Sequence, residues 1–184
     1  MGGFSHVLLC KISGWKLEGN IDASIKKCVL IVAPHTSWFD FFIGLLVRNI
    51  LDLQIDFVAK KELFKFPFGW YFKLVGGTPL DRTPKQNKVE AIAGIFKSRE
   101  VFRLALSPEG TRKKVKVWKT GFYYIAKEAK VPIVMVSFDY KRKLVKFSDP
   151  FYTSSDKEKD FYKIHEFYQG VQGKNPEKFE VPLH

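Results

Sequence analysis

His35 and Asp40 lie four residues apart in the stretch Ala33-Pro34-His35-Thr36-Ser37-Trp38-Phe39-Asp40. A neutral imidazole accepts a proton near pH 7, and a carboxylate beside it can fix its tautomer and stabilise the imidazolium. Arg82 and Arg112 add planar guanidinium forks of the kind that match a phosphate. Gly110 lies inside Ser107-Pro108-Glu109-Gly110-Thr111-Arg112, where a glycine relaxes a tight turn so that backbone amides can face an anion. Base, orienter and phosphate grips together suit proton abstraction on a phosphate-bearing molecule. Taken alone, His-x4-Asp is a common spacing and more often marks a core histidine bonded to a capping aspartate. Other segments shift that balance.

The elements around these residues must bring them together. Within one helix, His35 and Asp40 would stand roughly 140° apart, so they meet only if the chain turns between them. Cys28 to Val32 reads as a buried strand, and Phe41 to Leu51 as the body of a buried helix beginning near Trp38. Pro34 biases Ala33 to extended geometry and ends the strand, and Thr36 or Ser37 can cap the helix that follows. The pattern then predicts strands over 56–59, 101–106 and 131–138, a neighbouring strand over 143–147, and helices over 85–98, 121–129 and 156–171. Trp15 to Gly19 reads as an edge strand and residues 3–13 as a short amphipathic helix; the carboxyl-terminal tail is expected to fray. Strands alternating with helices indicate an α/β fold with a mostly parallel or mixed central sheet flanked by helices. Three polar turns, 35–40, 81–82 and 107–112, fall at strand ends, where α/β folds assemble their sites.

At 184 residues the chain is expected to form one domain, 1–184, with residues 1–13 as its membrane-associating helix. The formal charge of +12 calls for an anionic partner, and 18 Phe, 7 Tyr and 4 Trp among the basic residues suit a membrane interface. The segment Leu63 to Leu74 is split between a core helix starting at Pro67 and an apolar surface patch with Lys60, Lys61, Lys65 and Lys73 at headgroup level. The amino terminus lacks the basic flank of a signal peptide, and His6 stands where a myristoylation pattern needs Ser or Thr. No stretch reaches the ~18 apolar residues of a transmembrane helix, so the expected membrane contact is peripheral. Cys10 and Cys28 are too few and too separated for a disulfide framework or a zinc site, and a reduced, cytoplasmic setting follows. His6, His165 and His184 read as surface groups, and Lys157 to Asp160 as a solvated helix start. The lysines between 113 and 119 form a basic loop, either solvated or in contact with the phosphates of coenzyme A or an acidic acyl carrier.

Taken together, the blocks resemble the glycerolphosphate/lysophosphatidic-acid acyltransferase superfamily. Its His-x4-Asp block matches His35 to Asp40; its second block, ending in arginine, matches Gly77-Thr78-Pro79-Leu80-Asp81-Arg82. Its Pro-Glu-Gly-Thr-Arg block matches Pro108 to Arg112, and its Val-Pro-Ile strand matches Val131-Pro132-Ile133-Val134. Order and spacing agree from about residue 14 to 140. The resemblance implies that His35 deprotonates an acceptor hydroxyl, which attacks a fatty acyl thioester, while Asp40 orients His35. It further implies that Arg82 grips the acceptor's phosphate and that Glu109, Gly110, Thr111 and Arg112 complete the acceptor pocket.

The activity so implied is O-acyl transfer in phospholipid biosynthesis, from acyl-CoA or acyl-ACP to a lysophospholipid. The favoured acceptor is 1-acylglycerol-3-phosphate, giving phosphatidic acid; another lyso-lipid or a different hydroxyl or amine acceptor is the alternative. No metal and no cofactor beyond the acyl donor is implied. The expected partners are the donor, the acceptor and the inner face of a membrane, and not nucleic acid. A basic nucleic-acid-binding module is the rival class, but it leaves His35 and Asp40 without a task. Four positions depart from the family pattern: Pro34 where Asn often stands, Ser107 for Phe, Met135 for Pro, and the polar Thr78-Pro79. None touches the base, its orienter or the arginines.

Overall fold

The computed structural model describes residues 2–60, 65, 69–74, 76–80 and 88–182. Seven strands form one sheet in the order β1-β7-β6-β2-β5-β3-β4. They are β1 (Lys16–Glu18), β2 (Lys27–Ala33), β3 (Asp56–Lys60), β4 (Gly77–Leu80), β5 (Phe102–Leu106), β6 (Ile133–Asp139) and β7 (Leu144–Phe147). The run β6-β2-β5-β3-β4 is parallel throughout, whereas β7 pairs antiparallel with β6 and parallel with β1 at the edge.

Strand β2 lies inside the parallel run, and its sequence shows why. Parallel strands are covered on both faces and read as continuous apolar runs. Alternate residues then serve opposite layers. Val29, Ile31 and Ala33 face one core with Phe102, Leu104, Ile133 and Met135. Cys28 and Leu30 face the other with Val134, Val136 and Phe138. The first core is closed by α4 (Lys88–Ser98), α5 (Gly121–Ala129) and α6 (Lys157–Tyr168), through Ile92, Phe96, Phe122, Tyr123, Ile164 and Tyr168. The second is closed by α2 (Phe39–Leu51) through Ile43 and Val47, with Leu9 of the amino-terminal segment beside them.

Local signals set the ends of the helices. Asp156 caps α6 by accepting the Lys159 amide at 3.0 Å. Helix α2 stops at Asp52 and α5 at Lys130, both in the left-handed conformation, and Val131-Pro132 then leads into β6. The amino-terminal segment is helical as expected but changes winding. It is α-helical as α1 (Gly2–His6) and a π-helix over Val7–Ile12, and α1 packs against α2.

Three surface readings are corrected by this packing. His165 is buried and its ring meets Trp118 edge-on, because α6 turns that face onto the core. Asp160 is buried rather than solvated and accepts bonds from the Tyr123 hydroxyl (2.9 Å) and the Ser154 amide (2.7 Å). The tail does not fray up to residue 182: Gly173 and Asn175 dock against the loop that carries His35, and Gln172 against Tyr140, as described below. Of the segment Leu63 to Leu74, residues 63, 64 and 66–68 lie outside the described residues. Its described helix, α3 (Gly69–Leu74), exposes Trp70 and Leu74.

Candidate active site

β2 ends at Ala33, and the chain continues through Pro34 to His35. Both neighbours of β2 run parallel to it, so their carboxyl ends open beside the same loop. β5 aligns Leu106 with Ile31, and β6 aligns Ser137 with Ala33. The turn after β5 and the residue after β6 therefore both reach the His35 loop. This is how segments 70 and 100 residues distant in sequence share one site.

The chain turns between His35 and Asp40 and brings them together. Imidazole Nδ1 stands 3.2 Å from Asp40 Oδ2. The same oxygen accepts the amides of Thr36 and Ser37, each at 2.9 Å. Asp40 Oδ1 takes the hydroxyl of Tyr140 at 2.7 Å. A carboxylate that is only 3% exposed is thus held on every side. Asp40 also lies in the first turn of α2, where the helix dipole favours negative charge. The His35 side chain is 33% exposed, so its imidazole can be reached from outside, whereas Asp40 is almost wholly buried behind it. Neither expected residue is the cap of α2: Trp38 holds the N-cap position and no side chain caps it. Ser37 Oγ accepts the Phe39 amide at 3.2 Å, whereas Thr36 Oγ1 turns to the tail and accepts the amide of Asn175.

The turn after β5 places its residues differently from one another. Glu109 is buried beneath the loop and is not among the residues lining the main cavity. Its Oε2 accepts the backbone amide of His35 at 2.8 Å and the hydroxyl of Ser107 at 3.0 Å. Burial pushes its pKa up to about 7, against the opposing pull of the His35 and Ser107 hydrogen bonds. Ser107, one of the departures from the family pattern, is therefore a bonding partner of Glu109. Gly110 has φ +64, a left-handed conformation that favours glycine, and the Lys119 side chain lies close over it. Thr111 Oγ1 accepts the Lys113 amide at 3.3 Å, within its own turn. Arg112 is exposed and faces the cavities beside the loop. Arg82 lies outside the described residues.

A cavity of about 730 Å³ opens at this loop, a volume typical of small-molecule sites. Its polar lining is His35, Asp40, Ser107 and Arg112 at this loop, with Arg48 and Asp56 elsewhere in the wall. Its walls are Leu30, Val32, Ala105, Val136 and Phe138 from the sheet and Phe41, Leu45 and Val47 from α2. The lining continues along α2 to Arg48, ten residues past Trp38, which corresponds to roughly 15 Å of helix. A base at the mouth of a long apolar cavity can act on a group carried by an apolar chain. Sequence reasoning missed Tyr140 and the tail residues Lys174, Asn175 and Lys178. No local spacing links any of them to His35.

The acyltransferase family model matches residues 16–139 of the chain. A 1-acyl-sn-glycerol-3-phosphate acyltransferase of Streptococcus pneumoniae is 34% identical over 141 residues, covering 74% of this chain and 52% of the relative. Proteins of the same name from Saccharomyces cerevisiae and Bacillus subtilis are 31% and 29% identical, over 60% and 72% of this chain. The chain spans about half the length of the first of these relatives and 38% of the yeast one. The crystal structure of the 1-acyl-sn-glycerophosphate acyltransferase of Thermotoga maritima superposes with a TM-score of 0.58 at 21% identity, covering 90% of this chain and 74% of that one, a likeness of fold. With the family model spanning its sheet from β1 to β6 and its His35, Asp40 and Pro108 to Arg112 blocks in register, this chain belongs to the acyltransferase family.

Proposed function

We propose that the chain transfers a fatty acyl group from an acyl thioester, acyl-CoA or acyl-ACP, to the free hydroxyl of 1-acylglycerol-3-phosphate, giving phosphatidic acid. The observation that carries this reading is the Asp40-held His35 at the mouth of an apolar cavity. Asp40 engages Nδ1, so Nε2 is the nitrogen that takes the hydroxyl proton. The acceptor oxygen then attacks the thioester carbonyl. A C–O bond forms, the C–S bond breaks, and the proton passes from the imidazolium to the departing thiolate. A positioned base contributes about 10²–10⁴ in rate.

The apolar cavity suits the acyl chain, and Arg112 at the His35 loop suits the acceptor's phosphate together with Arg82. Glu109 supports the reaction through the His35 backbone, which makes it a positioning residue. The relatives named above carry the name of this reaction, which supports lysophosphatidic acid as acceptor.

Peripheral attachment to the inner face of a membrane belongs to the same reading. Among the described residues no helix is long and apolar enough to cross a bilayer. Phe4 and Ile12 of the amino-terminal helices and Trp38, Phe39 and Phe42 around the start of α2 are exposed, and α1 packs against α2. Exposed aromatics beside a strongly basic surface suit shallow insertion among anionic headgroups.

The test is incubation with labelled acyl-CoA or acyl-ACP and a panel of lyso-lipids, with mass spectrometry of the products. Label is expected in phosphatidic acid with the unaltered chain and not with His35→Ala. Turnover by a folded His35→Ala variant near the parent's rate removes the mechanism, and label in another lipid replaces the acceptor.

A further inference from the structure

A second cavity, of about 380 Å³, adjoins the first at Trp38 and Arg112, which line both. Thr36 and Ser37 of the His35 loop form one wall. Lys174, Asn175 and Lys178 of the carboxyl-terminal segment form the other. Every charged residue among those lining it is basic. All three of the tail residues lie beyond the part of the chain that the family model matches, residues 16–139.

The tail is built into this place. Asn175 donates its side-chain amide to the Thr36 carbonyl at 2.9 Å and its backbone amide to Thr36 Oγ1 at 3.2 Å. Gln172 accepts the Tyr140 amide at 2.8 Å. Between them, Gly173 passes so close that a Cβ would stand 2.7 Å from Thr36 Oγ1 and 3.0 Å from Pro34 Cβ. Lys174 Nζ stands 3.3 Å from the centroid of the Phe39 ring, a cation held at the rim by an aromatic face. Lys178 ends the 3₁₀ turn Pro176–Lys178. Three cations around one notch repel one another, and an anion bound among them relieves that repulsion.

We propose that this notch is a phosphate-monoester site in which Lys174 and Lys178 act with Arg112, and in which Asn175 fixes the tail to the catalytic loop. The inference rests on the acyltransferase reading and deepens it. A phosphate in the notch, attached to a molecule that also enters the apolar cavity, spans the loop that carries His35. Two substrates of the reaction carry such a group: the acceptor, on its glycerol, and coenzyme A, on its ribose.

The experiment compares the full chain with a K174Q/K178Q variant by calorimetric titration. The probes are 1-hexanoylglycerol 3-phosphate, coenzyme A, their analogues lacking the monoester (1-hexanoylglycerol and dephospho-coenzyme A), and phosphatidylglycerol vesicles. Circular dichroism and Tm verify the fold, and the single variants K174Q and K178Q replace the double one if it melts early. Charge-assisted bonds of this kind are worth about tenfold or more in Kd. The Kd of one monoester is expected to rise at least that much, with no change for its dephosphorylated analogue; the ligand that responds identifies the source. The proposal is overturned if neither monoester binds the unaltered chain, if neither Kd moves, or if only vesicle binding falls. Normal acyl transfer with unmoved Kd values removes the notch and leaves the enzyme reading. Phosphate-dependent loss of binding in a chain that transfers no acyl group removes the enzyme reading and leaves the notch.

Discussion

Tyr140 Oη donates a 2.7 Å hydrogen bond to Asp40 Oδ1, joining the segments that leave two adjacent strands, β6 and β2, across one hundred residues of sequence. Tyr140 follows the end of β6, Asp40 opens α2, and the ring of Tyr140 rests edge-on against Trp15 at 4.9 Å. Burial and the bond to Asp40 raise the pKa of this phenol, so it stays a donor through the physiological range. Tyr140→Phe keeps the ring and removes the donor. Because Asp40 holds His35, the change should lower kcat by about tenfold with little effect on KM for either substrate, in keeping with the ~1.5–3 kcal/mol of a hydrogen bond to a charged group. Steady-state kinetics beside a melting curve test this. A normal kcat in a folded variant would release Tyr140 from any positioning role.

Glu109 makes stability depend on pH. Its folded pKa of about 7 lies above the ordinary 4.5, so between these values the folded chain holds a proton that the unfolded chain has lost. Stability from this group is therefore complete below pH 4.5 and declines as pH rises towards and through 7, by up to about 3 kcal/mol. Glu109→Gln keeps an acceptor for the His35 amide and removes the titration. The variant's stability should fall less than the parent's between pH 5 and 8, measured by denaturant melts at each pH. Parallel curves for the two proteins would contradict a raised Glu109.

The apolar cavity should set the length of acyl chain accepted. Gly44 on α2 lines it, and a Cβ at that position has as its nearest neighbour the Phe138 ring at 4.0 Å. Gly44→Leu projects a side chain into the cavity and should move preference towards shorter acyl donors. Each methylene that loses its place costs ~0.8 kcal/mol, or about fourfold in kcat/KM. Competition between donors of several lengths reads the shift. An unchanged profile would place the acyl chain elsewhere.

Phe4 and Ile12 are 78% and 72% exposed, so polar residues there cost the core little. The variant Phe4→Ser/Ile12→Ser should keep its Tm and bind anionic vesicles at least several-fold more weakly, and the residual binding should be salt-sensitive because the basic surface remains. Sedimentation with vesicles at two salt concentrations measures both. Undiminished binding would move the membrane contact away from the amino-terminal helices.

The sequence alone determined the parts of this protein that are local. The apolar run of β2 named a strand buried on both faces, Pro34 ended it, and the blocks at 35–40 and 108–112 named a histidine with its carboxylate partner and an arginine at the same strand ends. Helix α5, read as about 121 to 129, runs Gly121–Ala129, and Val131-Pro132 follows its end. The tertiary structure decided what sequence spacing cannot carry. Glu109, expected at the substrate, lies under the loop on the His35 amide because β5 runs beside β2. Tyr140 reaches Asp40 because β6 runs on the other side. Asp160 and His165 are buried because α6 lies on the sheet, where Tyr168 donates its hydroxyl to the Ile31 carbonyl. Lys174 and Lys178 face Arg112 because Asn175 bonds to Thr36, a pairing across 139 residues. A hydrophobic period records which face of an element is covered, and a motif records neighbours in the chain; neither records which strands lie side by side, and that order is what assembled the site.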